Sequence, residues 1–349
     1  MPDDHSWPGM GRLAIMAVAL TLTAASAPRY DWSTTDLSYI GDDGRTPAVK
    51  ATRALCARLI DLAPPASNGP DPTQATAHHD CDSEALLYGI GRPADPVAAR
   101  RCAWMEYGRP QDEASLPYFD GPGILAVAYA NGWGGPRNLD LAIHMACGIE
   151  DAPAATLARI QHLQKLASQG PEATPFSICD DISSGMSGGV CAAHNARLAD
   201  RDRGRTIALW KRDWSPARRA AFARVYASMA DYAETAHDLD CHGGTAAAQC
   251  AIDGAQGDMA RFMTRIGALL GHHVAPARSP RAGRGNAATD STGWAHMLRD
   301  MTADDRAVYE ENGRRTRAAR ARFERDLLAF AATISGTTPH DTRALFSDI

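Results

Sequence analysis

Eight cysteines are the feature of this 349-residue sequence that most restricts how the chain can fold. Paired cysteines join segments that are distant in sequence, and an even number allows every one of them to pair. The sequence contains no C-x-x-C spacing, which disfavours a zinc site or a thioredoxin-like motif. Whether the cysteines pair depends on the redox compartment, and the N-terminus indicates that compartment.

The N-terminus has the pattern of a secretory signal peptide. Residues 13–27, LAIMAVALTLTAASA, form an apolar run that ends in small side chains and is too short to cross a bilayer comfortably. We therefore expect residues 1–27 to be removed and the chain to reach the periplasm or the exterior without a membrane anchor. In such a compartment cysteines are expected to form disulfides. The alternative is a buried N-terminal helix.

Charge and composition disfavour two classes of protein. The sequence has 33 Arg and only 3 Lys, an excess that we attribute to GC-rich codons, and its net charge is −5. Loss of residues 1–27 would leave about −4. Nucleic-acid binding needs a concentrated basic face, so it is not expected. Few β-branched residues and 7% aromatic residues make an all-β fold improbable.

Capping signals and apolar spacing predict an all-α protein. The run from Ser215 to Asp240 places apolar side chains on one helical stripe, and nothing in the chain alternates like a strand for long. Helices are expected to begin where a short polar residue precedes such a pattern. These positions are Thr46, Asp95, Asn138, Asp151, Ser215 and Thr302.

The N-terminal half contains an internal repeat. The segment LYGIGRPAD at 87–95 is echoed by ANGWGGPRN at 130–138. In each copy the glycines permit a tight turn, proline stops the preceding helix, and Asp or Asn caps the next one. Ala99 and Ala142 then allow two antiparallel helices to approach closely. The repeated turn residues are Gly89, Gly91, Pro93, Asp95, Gly132, Gly134, Pro136 and Asn138.

This pattern resembles the Sel-one-like repeat, a relative of the tetratricopeptide repeat with the pattern L-Y-x-x-G-x-G-V-P-x-D-x-x-x-A. The resemblance implies antiparallel helical hairpins within residues 28–170. The chain departs from the pattern at Asn138, which still caps, and at Arg92 and Gly135, where the family prefers valine. Two copies are too few for a free-standing solenoid, because each buries its apolar face on a neighbour. The alternative is an unrelated pair of helical hairpins.

A second resemblance covers residues 171–273. Its signature is FSICDD at 176–181, CAA at 191–193, the junction WSPA at 214–217, and CHGGT at 241–245 followed by Cys250. These features resemble the domain shared with the lysozyme inhibitor LprI family, a secreted helical module. That resemblance implies an early cysteine pair, a long helix and a later pair that flanks a Gly-Gly turn. The family has an aromatic-Arg-Asp stretch before its third cysteine, and this sequence departs from it with AHDLD at 236–240.

Three cysteine pairs are expected. The LprI-like resemblance implies two of them, and their spacings suit local bridges. The third pair lies at opposite ends of the first repeat, where an antiparallel hairpin would bring its members together. Cys56 and Cys147 either pair with each other or remain free buried thiols. The expected pairs are Cys179–Cys191, Cys241–Cys250 and Cys81–Cys102.

Patterns associated with catalysis or metal binding are weak. GMSGG at 185–189 matches the nucleophile pattern G-x-S-x-G around Ser187, but that chemistry needs a preceding β-strand, so a flexible glycine loop is expected. The histidine pairs at 78–79 and 272–273 are expected in solvated loops. The acid pair Asp180–Asp181 is expected to cap a helix or to pair with arginine. No metal site, cofactor or enzymatic activity is predicted.

The function that remains is recognition. We expect an exported, non-enzymatic protein that binds a protein partner through two rigid loops, each beside a cysteine pair. The LprI-like resemblance implies a lysozyme-type enzyme as that partner; another envelope protein is the more general expectation. The loop residues are Asp180, Asp181, Ser183, Gly185, Gly188, His242, Gly243, Gly244 and Thr245.

Two other functions stay open. One is a periplasmic scaffold whose repeats mediate protein–protein interaction, and the less favoured one is a serine hydrolase that uses Ser187. The remainder of the chain is expected to contain a flexible linker at 274–292 and a C-terminal helical segment at 293–349.

Overall fold

The computed structural model describes residues 30–62, 65, 81–109, 118–169, 174–241, 244–272, 302–334, 336–347 and 349. Within these ranges the regular structure is helical and there is no strand, which confirms the all-α prediction. No helix in the same ranges has the length and hydropathy needed to span a membrane. Predicted features that lie outside them are the signal peptide at 1–27, His78, His79, His242, Gly243, His273 and the linker at 274–292.

Five of the eleven described α-helices begin at capping residues that the sequence indicates. The side chains of Thr46, Asp95, Asn138, Ser215 and Thr302 each accept a hydrogen bond from an N–H of the following first turn. After a 3₁₀ segment at Ser38–Arg45, the helices are α1 (Pro47–Leu59), α2 (Ser83–Tyr88), α3 (Pro96–Tyr107), α4 (Gly121–Asn131), α5 (Leu139–Cys147), α6 (Pro153–Ser168), α7 (Gly185–Trp210), α8 (Pro216–Asp240), α9 (Ala247–Leu269), α10 (Ala303–Ala331) and α11 (Pro339–Leu345).

Helices α1 to α6 enclose a first hydrophobic core. Helices α2 to α6 pack in chain order, each on the next, and α1 covers α5 and α6. Helix α4 is the central element, since its residues from Gly121 to Ala130 are all buried. Phe176, Ile178 and Cys191 also belong to this core, although the sequence analysis assigns them to the later domain. The first core therefore extends into the start of α7.

The two repeat copies adopt the same turn. In each copy the two glycines after the first helix have positive φ, a conformation that glycine adopts without steric cost. The backbone N–H of the capping residue then bonds back to the preceding helix, from Asp95 to Leu86 O and from Asn138 to Tyr129 O. The φ values are 72° at Gly89, 69° at Gly91, 71° at Gly132 and 76° at Gly134.

A buried arginine joins the two copies. Arg100 lies on α3, is 1% exposed, and donates from Nη2 to the carbonyl oxygens of Ala128, Gly135 and Pro136 at 2.9, 3.3 and 3.2 Å. Ala128 is in the last turn of α4, where the helix dipole makes a cation favourable. The guanidinium group also lies over the Tyr129 ring, 4.3 Å from its centroid. Arg100 thus fixes the first hairpin against the turn of the second.

A second hydrophobic core lies between α7, α8, α9, α10 and α11. Helix α8 packs on both α9 and α10, and α11 packs on α10. The described part of the C-terminal segment therefore shares a core with residues before the predicted linker. The aromatic side chains of this core are Trp214, Phe222, Tyr232, Phe262, Phe323, Phe330 and Phe346.

Helix α7 connects the two cores, and polar contacts hold it against the first repeat. The Glu84 carboxylate accepts hydrogen bonds from His194 Nδ1 at 2.5 Å and from Arg197 Nη2 at 2.6 Å. One turn further along, Arg201 donates to the backbone oxygen of Tyr88. These contacts fix α7 along the length of α2.

The eight cysteines form four disulfides. Three are the pairs that the sequence analysis expects, and the fourth joins Cys56 on α1 to Cys147 on α5, a pair that it left open. Cα–Cα distances in the four pairs range from 5.6 to 5.9 Å. Such complete pairing is typical of an oxidising, extracytoplasmic environment.

Two turn glycines provide a matched test of the repeat packing. Both Gly91 and Gly134 have positive φ, but a Cβ on Gly91 would meet nothing within 4 Å, whereas one on Gly134 would overlap the carbonyl of Pro96. We expect Gly91→Ala to lower the free energy of unfolding by about 1–2 kcal/mol. Gly134→Ala should add an overpacking loss of about 1–3 kcal/mol. Urea unfolding followed by circular dichroism measures both, and equal losses would contradict this account of the turn.

The burial of His194 beside Glu84 makes stability depend on pH. Burial lowers the pKa of the His194 imidazole below its usual range. Burial alone would raise the pKa of Glu84, but the hydrogen bonds from His194 and Arg197 outweigh it and lower that pKa. In the unfolded chain, histidine takes up a proton at about pH 6.5 and glutamate at about pH 4.3. In the folded protein, His194 and Glu84 do so only at lower pH. Both groups therefore reduce the free energy of unfolding as the pH falls.

We expect His194→Gln to make the free energy of unfolding less sensitive to acidification from about pH 7.5 to about pH 5.5, because the histidine contribution to proton uptake is lost. Urea titrations at several fixed pH values measure this slope. A variant slope as steep as that of the unchanged protein would contradict the assignment.

Candidate functional site

The segment before α7, residues 174–184, is held rigidly on the first core. Phe176 and Ile178 are each 1% exposed. The Asn131 side chain clamps the backbone of Phe176, accepting from its N–H at 2.7 Å and donating to its carbonyl oxygen at 2.8 Å. The disulfide Cys179–Cys191 then ties the segment to the second turn of α7. The first predicted binding loop is therefore a fixed segment.

The glycine-rich sequence at 185–189 is helical, so the prediction of a flexible loop there is wrong. Ser184 caps α7 by accepting from Ser187 N–H at 3.1 Å, and the glycines form the first turns of the helix. A Cβ on Gly185 would overlap Thr245 and Ala246, and one on Gly188 would overlap Gln249. Small residues are needed because the start of α9 lies directly against this turn. Gly188 is buried and Gly185 partly buried, so neither belongs to an open binding loop.

The second predicted loop lies beside the first one. Cys241, just after α8, is bonded to Cys250 in the first turns of α9. Gly244 between them has a φ of 72°, and Gly244 and Thr245 are both exposed. Because Gly185 contacts Thr245, the two disulfide-flanked segments form one continuous area of surface. The sequence analysis places these loops in one domain but gives no reason for them to touch.

This area is called here the two-disulfide surface. Its members are exposed residues from both segments, and four of them are among the predicted binding residues. The fifth, Met186, was missed by sequence reasoning, yet its side chain is 60% exposed at the first turn of α7. A signal existed in the sequence, because the glycines at 185, 188 and 189 have the spacing of one helix face and so leave residue 186 on another. The surface comprises Asp180, Ser183, Met186, Gly244 and Thr245.

The acidic pair at the edge of this surface has partners other than those expected. Asp181 contacts a histidine, with its Oδ2 2.9 Å from His162 Nδ1 on α6, and Asp180 accepts from the Ser177 N–H at 2.9 Å. The expectation that these residues cap a helix or pair with arginine is therefore wrong. Partial burial of the Asp180 carboxyl group raises its pKa, and the neighbouring Asp181 carboxylate acts in the same direction.

Below the surface lies a buried polar cluster around Asp151. Asp151 Oδ2 accepts from Arg159 at 2.6 Å, with the two side chains 1% and 0% exposed. The same carboxylate accepts from the Tyr118 hydroxyl and, at 2.8 Å, from the Ser187 hydroxyl. The helix expected after Asp151 is α6, which begins at Pro153 after its N-cap residue Ala152, and the Asp151 side chain belongs to this cluster.

Ser187 lacks the surroundings of a serine nucleophile. Its side chain is 1% exposed, and its hydroxyl bonds to Asp151, Tyr118 and Ser184. No histidine is among these contacts, and a serine nucleophile needs an adjacent base and an open path for substrate. The hydroxyl fixes the start of α7, and the G-x-S-x-G match gives no support to a hydrolase.

One cluster of possible metal ligands occurs among the described residues. Cys81, Cys102 and Glu106 place a ligand atom each within 4.8 Å of one another. Both sulfurs are joined in a disulfide, so they are not thiolates that could bind a metal. This cluster is therefore the disulfide Cys81–Cys102 with the Glu106 carboxyl group beside it.

Comparison of the chain with protein-family models, curated proteins and solved structures finds no match.

The Asp151 cluster predicts a large effect of one substitution. Asp151→Asn should lower the free energy of unfolding by about 3–5 kcal/mol, because it leaves the Arg159 charge buried without its counter-charge. The matched control is Asp231→Asn, which breaks an exposed pair with Arg322 and should cost below about 1 kcal/mol. Urea unfolding measures both variants. Similarly small losses of unfolding free energy in both variants would mean that the buried ion pair does not stabilise the packing of α6 and α7.

Proposed function

We propose that this protein is an exported binding protein that presents the two-disulfide surface to a protein partner, and that the partner is a lysozyme-type enzyme. The observation that carries the proposal is the contact between two disulfide-flanked segments, one of which bears the exposed Met186. Each segment is closed locally by its own bridge, with sequence separations of 12 and 9 residues. Little conformational freedom would be lost when a partner binds such a surface, which favours affinity.

The chemistry of the surface suits recognition of a protein. Met186 is a flexible apolar side chain at 60% exposure, and the other members of the two-disulfide surface are small or polar. An apolar anchor inside a polar rim is the usual arrangement of an interaction hot spot, and methionine adapts its shape to a partner. The surface holds no described group of nucleophile and base, which supports a binding role.

The choice of a lysozyme-type partner rests on the LprI-like features and on charge. The chain is acidic, with a net charge of −5, or about −4 without residues 1–27. An acidic inhibitor is attracted to a basic glycan-cleaving enzyme, and this attraction accelerates association at low salt. Occlusion of the substrate cleft by Met186 and its neighbours would then slow lysis.

The test measures lysis of a bacterial cell suspension by lysozyme, followed as loss of turbidity, together with direct binding to immobilised lysozyme. We expect the purified mature chain to slow lysis, and Met186→Glu to raise the half-inhibitory concentration by about tenfold or more. Val308→Glu is the control, since Val308 on α10 is equally exposed at 62%, and it should leave inhibition unchanged.

Unchanged lysis at a large molar excess, or equal effects of the two variants, would overturn the proposal. A variant on the repeat half distinguishes the scaffold alternative. Val97 on α3 is 49% exposed, and Val97→Glu should not affect lysozyme binding if the two-disulfide surface is the contact site. Loss of binding with Val97→Glu but not with Met186→Glu would assign recognition to the repeats.

A further inference from the structure

The disulfide Cys81–Cys102 has a carboxyl group beside its sulfur atoms. Cys102 and Glu106 lie one turn apart on α3, and Cys102 Sγ is 3.5 Å from Glu106 Oε1. Cys81, just before α2, completes a cluster in which both sulfurs and a carboxylate oxygen lie within 4.8 Å of one another. Among the described residues, no other disulfide has a histidine or acidic group this close to both sulfurs.

The surroundings of Glu106 hold its carboxyl group in place and favour its protonated form. The buried Ser83 donates from its N–H to Oε1 at 3.0 Å, and its hydroxyl bonds to Oε2. Burial raises the pKa of Glu106 and outweighs the two Ser83 hydrogen bonds, which act to lower that pKa, and the carboxyl groups of Asp120 and Asp82 add to the rise. Glu106 therefore keeps a proton at a higher pH than an exposed glutamate does.

The two cysteines differ in their access to solvent. Cys81 is partly exposed, whereas Cys102 is 2% exposed. Thiol–disulfide exchange begins when a thiolate attacks one sulfur and displaces the other. A thiolate from solvent can reach Cys81, so Cys102 is the leaving sulfur, and it leaves next to Glu106.

We propose that Cys81–Cys102 is a thiol–disulfide exchange centre that oxidises a dithiol substrate, with Glu106 as the proton donor to the Cys102 sulfur. In the first step a substrate thiolate bonds to Cys81 Sγ, the disulfide bond breaks, and its electron pair goes to Cys102 Sγ. Glu106 transfers its proton to that sulfur and becomes a carboxylate. The products are a mixed disulfide on Cys81 and a Cys102 thiol.

The second step completes the exchange. The other thiolate of the substrate attacks the substrate sulfur of the mixed disulfide, and Cys81 leaves as a thiolate. Cys81 and Glu106 then take up protons from solvent. The dithiol has been oxidised to a disulfide, and the two cysteines have been reduced to thiols, so electrons and protons balance. This chemistry does not involve the two-disulfide surface and is independent of the binding proposal.

The test uses the intact oxidised protein and dithiothreitol as the dithiol, at about pH 6, with alkylation and peptide mass mapping at successive times. Cys179–Cys191 is a matched internal control, because it too has one partly exposed and one buried cysteine. We expect Cys81–Cys102 to be reduced at least about tenfold faster than this control, since general-acid assistance acts on one pair only.

Substitution of Glu106 separates catalysis from a structural role. Glu106→Gln should slow reduction of Cys81–Cys102 to about the rate of the control pair, whereas Glu106→Asp, which keeps a carboxyl group, should lose less. A purely structural glutamate predicts the opposite sign, because its loss would loosen the site and speed reduction. An unchanged or faster rate in Glu106→Gln, or equal rates for the two disulfides in the unchanged protein, would overturn the proposal. The control-pair rate in each variant also reports whether that variant has folded.

Discussion

The buried ion pair between Asp151 and Arg159 is the contact on which the position of α7 depends. Both side chains are almost completely removed from water, so neither charge is stable there without the other. The Asp151 carboxylate also binds Ser187 in the first turn of α7 and Tyr118 just before α4. Helix α7 then runs from the first core into the second. A displacement at Asp151 would therefore reach both cores.

Most of the disulfides are local, whereas the contact between Asp151 and Ser187 spans 36 residues. Three of the four bridges close segments of 9 to 21 residues, and Cys56–Cys147 alone joins distant parts of the chain. A local disulfide restricts the conformation of its own turn, but it does not determine which other segment that turn packs against. The two-disulfide surface exists because Gly185 lies against Thr245, a contact between helices that no bridge connects. Its rigidity comes from the disulfides, and its continuity comes from helix packing.

Helix starts and repeat turns were predictable because their causes are local. A cap needs one oxygen near the first turn of its own helix, and a left-handed turn favours a glycine. The cap at Asp95 and the turn at Gly132 can therefore be predicted from the residue type and its immediate neighbours. The first turn of α7 was misjudged for a related reason. Glycine is common both in loops and where two helices pack closely. Only the residue that contacts Gly188, which is Gln249, distinguishes a close helix contact from a loop. The helix after Asp151 was also predictable, but the contact of the Asp151 side chain with Ser187 was not, since Ser187 lies on another helix.

The helical class, five helix starts, the two matching turns and three cysteine pairs were predictable from the sequence, because each depends on residues close together along the chain. Contacts between distant segments set the rest of the arrangement. They pair Cys56 with Cys147, bring the two disulfide-flanked segments into contact at Gly185 and Thr245, and place Glu106 beside a disulfide. The physical reason is that these arrangements depend on contacts between helices, and the spacing of residues within a helix does not specify its neighbour.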